Sequence, residues 1–221
     1  MLLSSIKVCI WDFDGTFYPL TPAITRVMEQ EQYKTIMRYK KWDLPRAKKE
    51  FWAIYPSKTI SGNAAVGMIC GIPTAEAARE NEEYFDRLKY TGHDPKLTEL
   101  FLKLSGFRHF ILGNGVKRKL EEAAHGIGIP DGTFEEIVTS ETVGANKPDT
   151  AGYLYIMKTT GCKPEEHLMI GDREVVDLAP AKKVGMKTAL ATYGQTKNKT
   201  DKIKPDYYLK DFFELLAILK S

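Results

Sequence analysis

The chain opens with a short apolar run. Residues 6–11 (IKVCIW) are rich in β-forming side chains, and the run ends at Asp12, with Gly15 just beyond it. A short apolar run that is bounded by turn residues is typical of a buried strand. We therefore predict a first strand that leads into a tight loop.

Residues 22–90 show the pattern of amphipathic helices instead. Segments 24–41 and 74–90 are rich in Glu, Lys, Arg, Ala and Met, and their apolar residues recur at helical spacing. Several prolines divide the region into pieces. We predict several helices that pack as a small bundle, with no strand among them.

From about residue 95, short apolar runs alternate with amphipathic segments. Strands are predicted within 107–113, 134–140, 167–172, 186–192 and near 207, and helices over 95–106, 116–128, 149–161, 174–185 and the last residues. This alternation implies parallel β-α units in a doubly wound α/β sheet. The predicted architecture is a Rossmann-like core of mostly parallel strands (1–17 and 92–221) with an all-helical domain (18–91) inserted after the first strand.

Composition narrows the class of protein. The 221 residues are 43% hydrophobic, which allows a sizeable core, and the net charge of +3 is too small to favour a nucleic-acid partner. The three cysteines are far apart, which disfavours a zinc site or a disulfide framework. No apolar run approaches the roughly 18 residues of a membrane span, and the N-terminal residues lack a signal-peptide pattern. We expect a cytoplasmic protein with no membrane partner.

Polar residues that can carry chemistry follow the predicted strands. In open parallel sheets, ligands bind beyond the carboxyl ends of the strands. We expect the following residues to lie at this edge of the sheet: Asp12 and Asp14, Gly113 and Asn114, the 139–147 loop, and Asp172 with Asp177. Clustered carboxylates repel one another unless a cation joins them, and a hard ion such as Mg²⁺ prefers oxygen ligands. A carboxylate beside such an ion can attack phosphorus, while a lysine neutralises the phosphoryl group.

Four short motifs resemble those of the haloacid dehalogenase superfamily, and they occur in the family's order. WDFDGT at 11–16 resembles its DxDGT pattern, LGNG lies at 112–115, KPD at 147–149 and GDREVVD at 171–177. The resemblance covers the whole predicted core, and the helical insertion falls where the family places its first type of cap. It implies the phosphatase branch of the superfamily, with Mg²⁺ as cofactor.

The resemblance also implies a role for each motif residue. Asp12 would be the nucleophile and a Mg²⁺ ligand, and Asp14 the general acid and base, with its backbone carbonyl on the metal. Lys147 would hold Asp12 and the phosphoryl oxygens. Asp172 would bind Mg²⁺ directly, and Asp177 would act through water or by orienting Asp172. Because the dehalogenases of the superfamily lack an acid at the position of Asp14, its presence favours phosphoryl transfer.

The second motif departs from the family. Its usual Ser or Thr is Gly113 here, and the loss of one hydrogen-bond donor to a transferring group costs roughly ten- to a thousandfold in rate. Backbone N–H groups from Gly113 to Gly115 could still bind the phosphate, or the Asn114 side chain could supply the missing donor. We predict an active but slow enzyme.

The inserted helices are expected to form a lid that chooses the substrate, a small phosphorylated metabolite. Candidate polar groups for that choice are Tyr18, Arg46, Lys58 and Asn63. The aromatic residues at helical spacing are expected to form the insert's own core instead: Trp42, Phe51, Trp52 and Tyr55. Arg173 is expected to be a surface or salt-bridge residue.

Three functions fit these residues. The first is a Mg²⁺-dependent phosphatase that hydrolyses a small phosphate monoester through an aspartyl-phosphate. The second is a phosphomutase on the same core, and the third is a non-catalytic protein that binds a phosphate ligand. Clustered acids without their metal would destabilise such a binding protein, which favours an enzyme. The sequence leaves the substrate open and is compatible with a homodimer.

Overall fold

A six-stranded sheet forms the centre of the molecule in the computed structural model, which describes residues 5–55, 59–192 and 203–220. Its strands are β1 Val8–Trp11, β2 Arg108–Leu112, β3 Glu136–Val138, β4 His167–Gly171, β5 Lys187–Ala191 and β6 Tyr207–Leu209. They lie in the order β3-β2-β1-β4-β5-β6, and all five pairings are parallel. The predicted doubly wound α/β fold is confirmed.

The helices fall into two groups. The first group is the first four of the five helices between β1 and β2 in the sequence: α1 Pro22–Lys40, α2 Leu44–Ile54, α3 Gly62–Cys70 and α4 Thr74–Glu82. The others alternate with the strands: α5 Pro95–Lys103, α6 Lys117–Gly126, α7 Ser140–Val143, α8 Ala151–Thr160, α9 Ala179–Lys183 and α10 Glu214–Lys220. We call α1–α4, residues 22–82, the helical insert.

Strand β1 is apolar because both of its faces are covered. Val8 and Ile10 pack in one hydrophobic cluster, whereas Cys9 and Trp11 pack in a second. Side chains alternate between the faces of a strand, so the two clusters lie on opposite faces of the sheet. This explains why the run lacks the alternation of a half-exposed strand.

The helical insert has a hydrophobic core of its own. Phe51 is fully buried there, and three aromatic side chains pack around its cluster: Trp42, Trp52 and Tyr55. This agrees with the structural role expected for Trp42, Phe51 and Trp52, whereas Tyr55 packs there and also lines the cavity described below. The described part of the insert contains no strand. The division into a core and a cap domain at 18–91 stays a prediction.

Two predicted helices are interrupted. The helix expected over 74–90 ends at Glu82, and a separate 3₁₀ turn, Arg87–Lys89, follows it. The helix expected over 174–185 begins as a π-helical turn, Glu174–Leu178, before α9. Pro180 accounts for the second change, because a proline lacks an amide hydrogen and its ring clashes with the carbonyl four residues earlier.

Helix α5 offers a test of the packing. Leu100 is fully buried, whereas Leu102 on the same helix is 66% exposed. We expect Leu100→Ala to lower the free energy of unfolding by about 2–5 kcal/mol, since it leaves a cavity. Leu102→Ala, the matched control, should change it by no more than about 0.5 kcal/mol. Urea unfolding measures both, and equal effects would contradict the assigned packing.

Candidate active site

The candidate site lies where strands β1 and β4 end side by side. Trp11 pairs with Ile170, and the amide of Asp12 donates a hydrogen bond to the Ile170 carbonyl at 2.8 Å. The chain leaves these two strands toward opposite edges of the sheet, which makes a switch point of the kind that binds ligands. Asp12 and Asp172, which follow the two strands, are therefore neighbours, as the sequence predicts.

Lys147 joins two of the buried acids. Its Nζ lies 2.6 Å from Asp12 Oδ1 and 2.9 Å from Asp177 Oδ1, and all three side chains are almost completely buried. Burial disfavours the ammonium, but the two carboxylates outweigh it and raise the pKa of Lys147. The lysine therefore stays charged between the two acids. Thr16 Oγ1 donates a further hydrogen bond to Asp12 Oδ2 at 3.1 Å.

Asp12, Asp172 and Asp177 form a set of oxygens that fits a metal ion. One carboxylate oxygen from each lies within 4.8 Å of those of the other two. Burial raises the pKa of Asp172 well above its usual range, and the negative charge of Asp12 adds to this. Such a cluster is stabilised by a cation, and an all-oxygen donor set suits Mg²⁺.

Gly15 allows Asp172 to approach this loop. Its φ is +93°, and a Cβ built there would lie 2.6 Å from Asp172 Oδ2. A side chain at this position would therefore meet both backbone strain and a carboxylate oxygen. The glycine of the first motif is thus explained by the geometry of the acid cluster.

The side chain of Asn114 is bound to the backbone of Lys147. Its Oδ1 accepts a hydrogen bond from the Lys147 amide at 2.8 Å, and its Nδ2 donates to the Lys147 carbonyl at 3.2 Å. These bonds brace Lys147 and use one of the two Nδ2 hydrogens; Asn114 also lines the cavity described below, and its donation to phosphate stays a prediction. Gly113 and Gly115 flank it, and Gly115 lines the cavity described below.

Asp14 is paired with an arginine that the sequence analysis did not single out. Arg87 Nε and Nη2 donate to the two carboxylate oxygens of Asp14, each at 2.8 Å, and the Tyr18 hydroxyl also donates to Asp14. Although burial opposes ionisation, Arg87 lowers the pKa of Asp14 below its usual value. The proposed ligation of Mg²⁺ by the Asp14 backbone carbonyl stays a prediction.

A cavity of about 330 Å³ separates these acids from the helical insert. Its base includes Asp12, Asp14 and Asp172. The insert contributes both polar and apolar side chains to the wall, among them Met28, Glu29, Gln32, Asn63 and Asn81. The cavity is large enough for a small molecule, which would contact both the insert and the acid cluster.

The four polar candidates of the lid have different positions. Tyr18 binds Asp14, and Asn63 lines the cavity while its Nδ2 donates to the Asn114 carbonyl at 2.8 Å. Arg46 is exposed, and its guanidinium lies over the Trp42 ring, 4.3 Å from the centroid. The structure therefore does not bring Arg46 to the cavity. Lys58 lies outside the described residues.

Arg173 lines the cavity as well as forming an ion pair. Its Nε is 3.9 Å from Asp172 Oδ1, and its side chain is partly buried. The expected salt bridge is present, but the position in the cavity wall was not anticipated. Arg173 directly follows the predicted metal ligand Asp172 in the sequence. That adjacency could have indicated its place in the cavity wall.

Comparison with known proteins agrees with this geometry. The sequence model of the haloacid dehalogenase-like hydrolase family matches residues 6–185, which is most of the chain. The chain belongs to this family. The resemblance of the four motifs is thereby confirmed, and the helical insert of this haloacid dehalogenase-like protein lies inside the matched region.

Two curated relatives are phosphatases. A glyceraldehyde 3-phosphate phosphatase of Methanocaldococcus jannaschii is 33% identical over 124 residues, which cover 56% of this chain and 54% of the relative. A phosphoglycolate phosphatase of Aquifex aeolicus is 29% identical over 227 aligned positions, which cover 98% of each chain. The first alignment thus spans about half of the relative's length, whereas the second is end to end.

A solved structure shows the same fold. CbbY from Rhodobacter sphaeroides, in complex with phosphate, superposes with a TM-score of 0.68 at 20% identity, covering 98% of this chain and 100% of that one. At this identity the similarity concerns the fold alone. Within the described residues, no helix combines the length and apolar character that crossing a membrane requires.

Metal binding can be tested without an activity assay. At a Mg²⁺ concentration a hundredfold above its Kd, we expect a stabilisation of about 2.7 kcal/mol, which Asp172→Asn should abolish. Asp131→Asn, whose side chain is 81% exposed, is the control and should keep the effect. Thermal unfolding with and without Mg²⁺ measures both. Equal stabilisation of the two variants would exclude Asp172 as a ligand.

The same titration should depend on pH. Because burial and Asp12 raise the pKa of Asp172, protons compete with Mg²⁺ for its oxygens. Mg²⁺ affinity should therefore weaken as the pH falls and strengthen as it rises. Calorimetric titration across the acidic to neutral range measures this, and an affinity that is flat or falls with increasing pH would contradict the expected competition.

Proposed function

We propose that the protein is a Mg²⁺-dependent phosphatase that hydrolyses a small phosphate monoester through an aspartyl-phosphate on Asp12. One observation supports this above the others. A buried lysine contacts Asp12 at 2.6 Å within a set of three acids at the strand ends, and this cluster opens into a small cavity. The phosphatase relatives support the same reaction class.

The first half of the proposed reaction uses Asp12 and Asp14. A carboxylate oxygen of Asp12 attacks the phosphorus atom, a P–O bond to Asp12 forms, and the ester P–O bond breaks. The leaving oxygen takes a proton from Asp14, a step that requires Asp14 to be protonated although its pairing with Arg87 favours the carboxylate. Lys147 remains charged beside Asp12 and offsets the negative charge that gathers on the phosphoryl oxygens.

The second half returns the residues to their starting state. Water gives a proton to Asp14 and attacks the phosphorus atom, and the P–O bond to Asp12 breaks. Inorganic phosphate leaves, and Asp12 is again a carboxylate. Asp12, the Asp14 carbonyl, Asp172 and either Asp177 or a water would hold Mg²⁺, which would supply positive charge beside the phosphoryl oxygens.

Gly113 lacks the hydroxyl that the family usually has at this position, so we expect the enzyme to be slow. Its φ lies outside the left-handed region, so the backbone accepts a side chain, although a Cβ would lie 2.5 Å from the flexible tip of Leu120. We expect Gly113→Ser to be faster than Gly113→Ala by about tenfold, since both displace Leu120 and only serine adds a donor. Phosphate release measures the ratio. A serine variant no faster than the alanine variant would rule out the missing-hydroxyl explanation.

The main test is release of inorganic phosphate from a panel of esters that includes p-nitrophenyl phosphate, glyceraldehyde 3-phosphate and phosphoglycolate. We expect Mg²⁺-dependent release that Asp12→Asn lowers by at least about a thousandfold, because the nucleophile is lost. Asp131→Asn is the exposed-acid control and should retain wild-type rates. Transfer of phosphate to a sugar without release would indicate a phosphomutase, and no turnover by folded, Mg²⁺-bound protein would indicate a binding protein.

A further inference from the structure

A chain of hydrogen-bonded asparagines connects the carboxyl edge of the sheet with the helical insert. Asn63 Nδ2 donates to the carbonyl of Asn114 at 2.8 Å, and Asn81 Nδ2 donates to Asn63 Oδ1 at 2.7 Å. Both asparagines of the insert are buried, and both line the cavity. The chain therefore ends at Asn81, in the cavity wall.

This chain fixes the orientation of each amide. A backbone carbonyl only accepts hydrogen bonds, so Asn63 must present its Nδ2 to Asn114 and its Oδ1 to Asn81. Asn81 must then present its Nδ2 to Asn63. Its remaining group is Oδ1, a buried acceptor that has no hydrogen-bond partner among the described residues. A buried acceptor without a donor is costly, so this oxygen is suited to a hydroxyl group of a bound molecule.

The insert also contributes negative charge to the cavity. Glu29 of α1 lines the wall, whereas no lysine or arginine does so within the described part of the insert, residues 22–55 and 59–82. Glu82 lines it as well, but Arg87 donates to both of its carboxylate oxygens. A ligand with a second negative charge on this side of the cavity would therefore be repelled by Glu29.

Arg173 is a cation of the cavity wall, but it lies with the acid cluster. Its Nε is 3.9 Å from Asp172 Oδ1, and its amide donates to Asp177 Oδ2 at 3.0 Å. Its charge therefore acts mainly on the carboxylates beyond the strand ends. The insert, which would contact the alcohol part of a bound ester, offers hydrogen-bond acceptors instead.

We infer that the cavity selects a phosphate ester whose alcohol part carries hydroxyl groups and no second negative charge, a polyol phosphate rather than a phosphorylated carboxylic acid. The inference rests on the proposed function, which puts the phosphoryl group at Asp12. The alcohol part then extends toward the insert, where Asn81 accepts a hydrogen bond from a hydroxyl and Glu29 repels a carboxylate. Such selection is effective because a site built for a hydroxyl leaves its own polar groups unpaired when the hydroxyl is missing.

The first experiment compares kcat/KM for racemic glycerol 3-phosphate and racemic 3-phosphoglycerate in the Mg²⁺-loaded protein. The two esters differ only in a hydroxymethyl group that is a carboxylate in the second. We expect wild type to prefer glycerol 3-phosphate by at least about tenfold. Glu29→Gln keeps the shape of the side chain and should reduce that preference by about three- to tenfold. Glu83→Gln removes an exposed acid that does not line the cavity, and should leave the preference unchanged.

The second experiment compares glycerol 3-phosphate with propyl phosphate, which lacks both hydroxyls. Asn81→Leu removes the acceptor, so we expect kcat/KM to fall by about ten- to a hundredfold for glycerol 3-phosphate and by no more than about threefold for propyl phosphate. A purely structural role of Asn81 would lower both values by the same factor. If Asn81→Leu does not fold, Glu29→Gln and the substrate preference of wild type still test the inference.

Several results would overturn the inference. They are a wild-type preference for 3-phosphoglycerate or none at all, an unchanged preference in Glu29→Gln, and equal losses for the two esters in folded Asn81→Leu. Wild type that hydrolyses p-nitrophenyl phosphate but none of these three esters would overturn it too. Wild type that releases phosphate from no ester, p-nitrophenyl phosphate included, would instead defeat the proposed function, so the two failures are distinguishable.

Discussion

The structure depends on one constraint: several negative charges must be kept together beyond the ends of two buried strands. Asp12, Asp172 and Asp177 repel one another, and burial removes the water that would screen them. Lys147 contacts two of the three, so it offsets part of this charge from within the cluster. Much of the surrounding loop structure follows from holding that lysine. Asn114 binds its backbone on both sides, and Gly15 leaves room for the third acid.

The sequence predicted those features that depend on local pattern. Apolar runs identified the strands, and the rule that ligands bind at their carboxyl ends correctly placed Asp12 and Asp172 at one edge of the sheet. Parallel pairing of β1 with β4 makes the rule work, because residues that follow paired strands must be neighbours. The helical insert was predicted in the same way, from apolar residues at helical spacing in segments divided by prolines.

Features that depend on long-range partners could not be predicted. Arg87 lies in a charged segment where nothing distinguishes it from Lys89, yet one is buried between two acids and the other is exposed. Asn114 was considered only as a phosphate donor, and its two hydrogen bonds to the backbone of Lys147 were not predicted. Local spacing does not say which distant group a polar side chain will meet, whereas it does say which face of an element is apolar.

The place of β1 in the sheet also has a consequence for how the protein is made. A ribosome synthesises this central strand first, yet Val8 must pair with Arg108 and His167, which emerge much later. During that interval the apolar side chains of Val8–Trp11 lack their final covering, while the helices of the insert can form from contacts nearby in sequence. The helical insert is thus synthesised before the strands that pair with β1, and until they emerge β1 is an apolar segment without its partners.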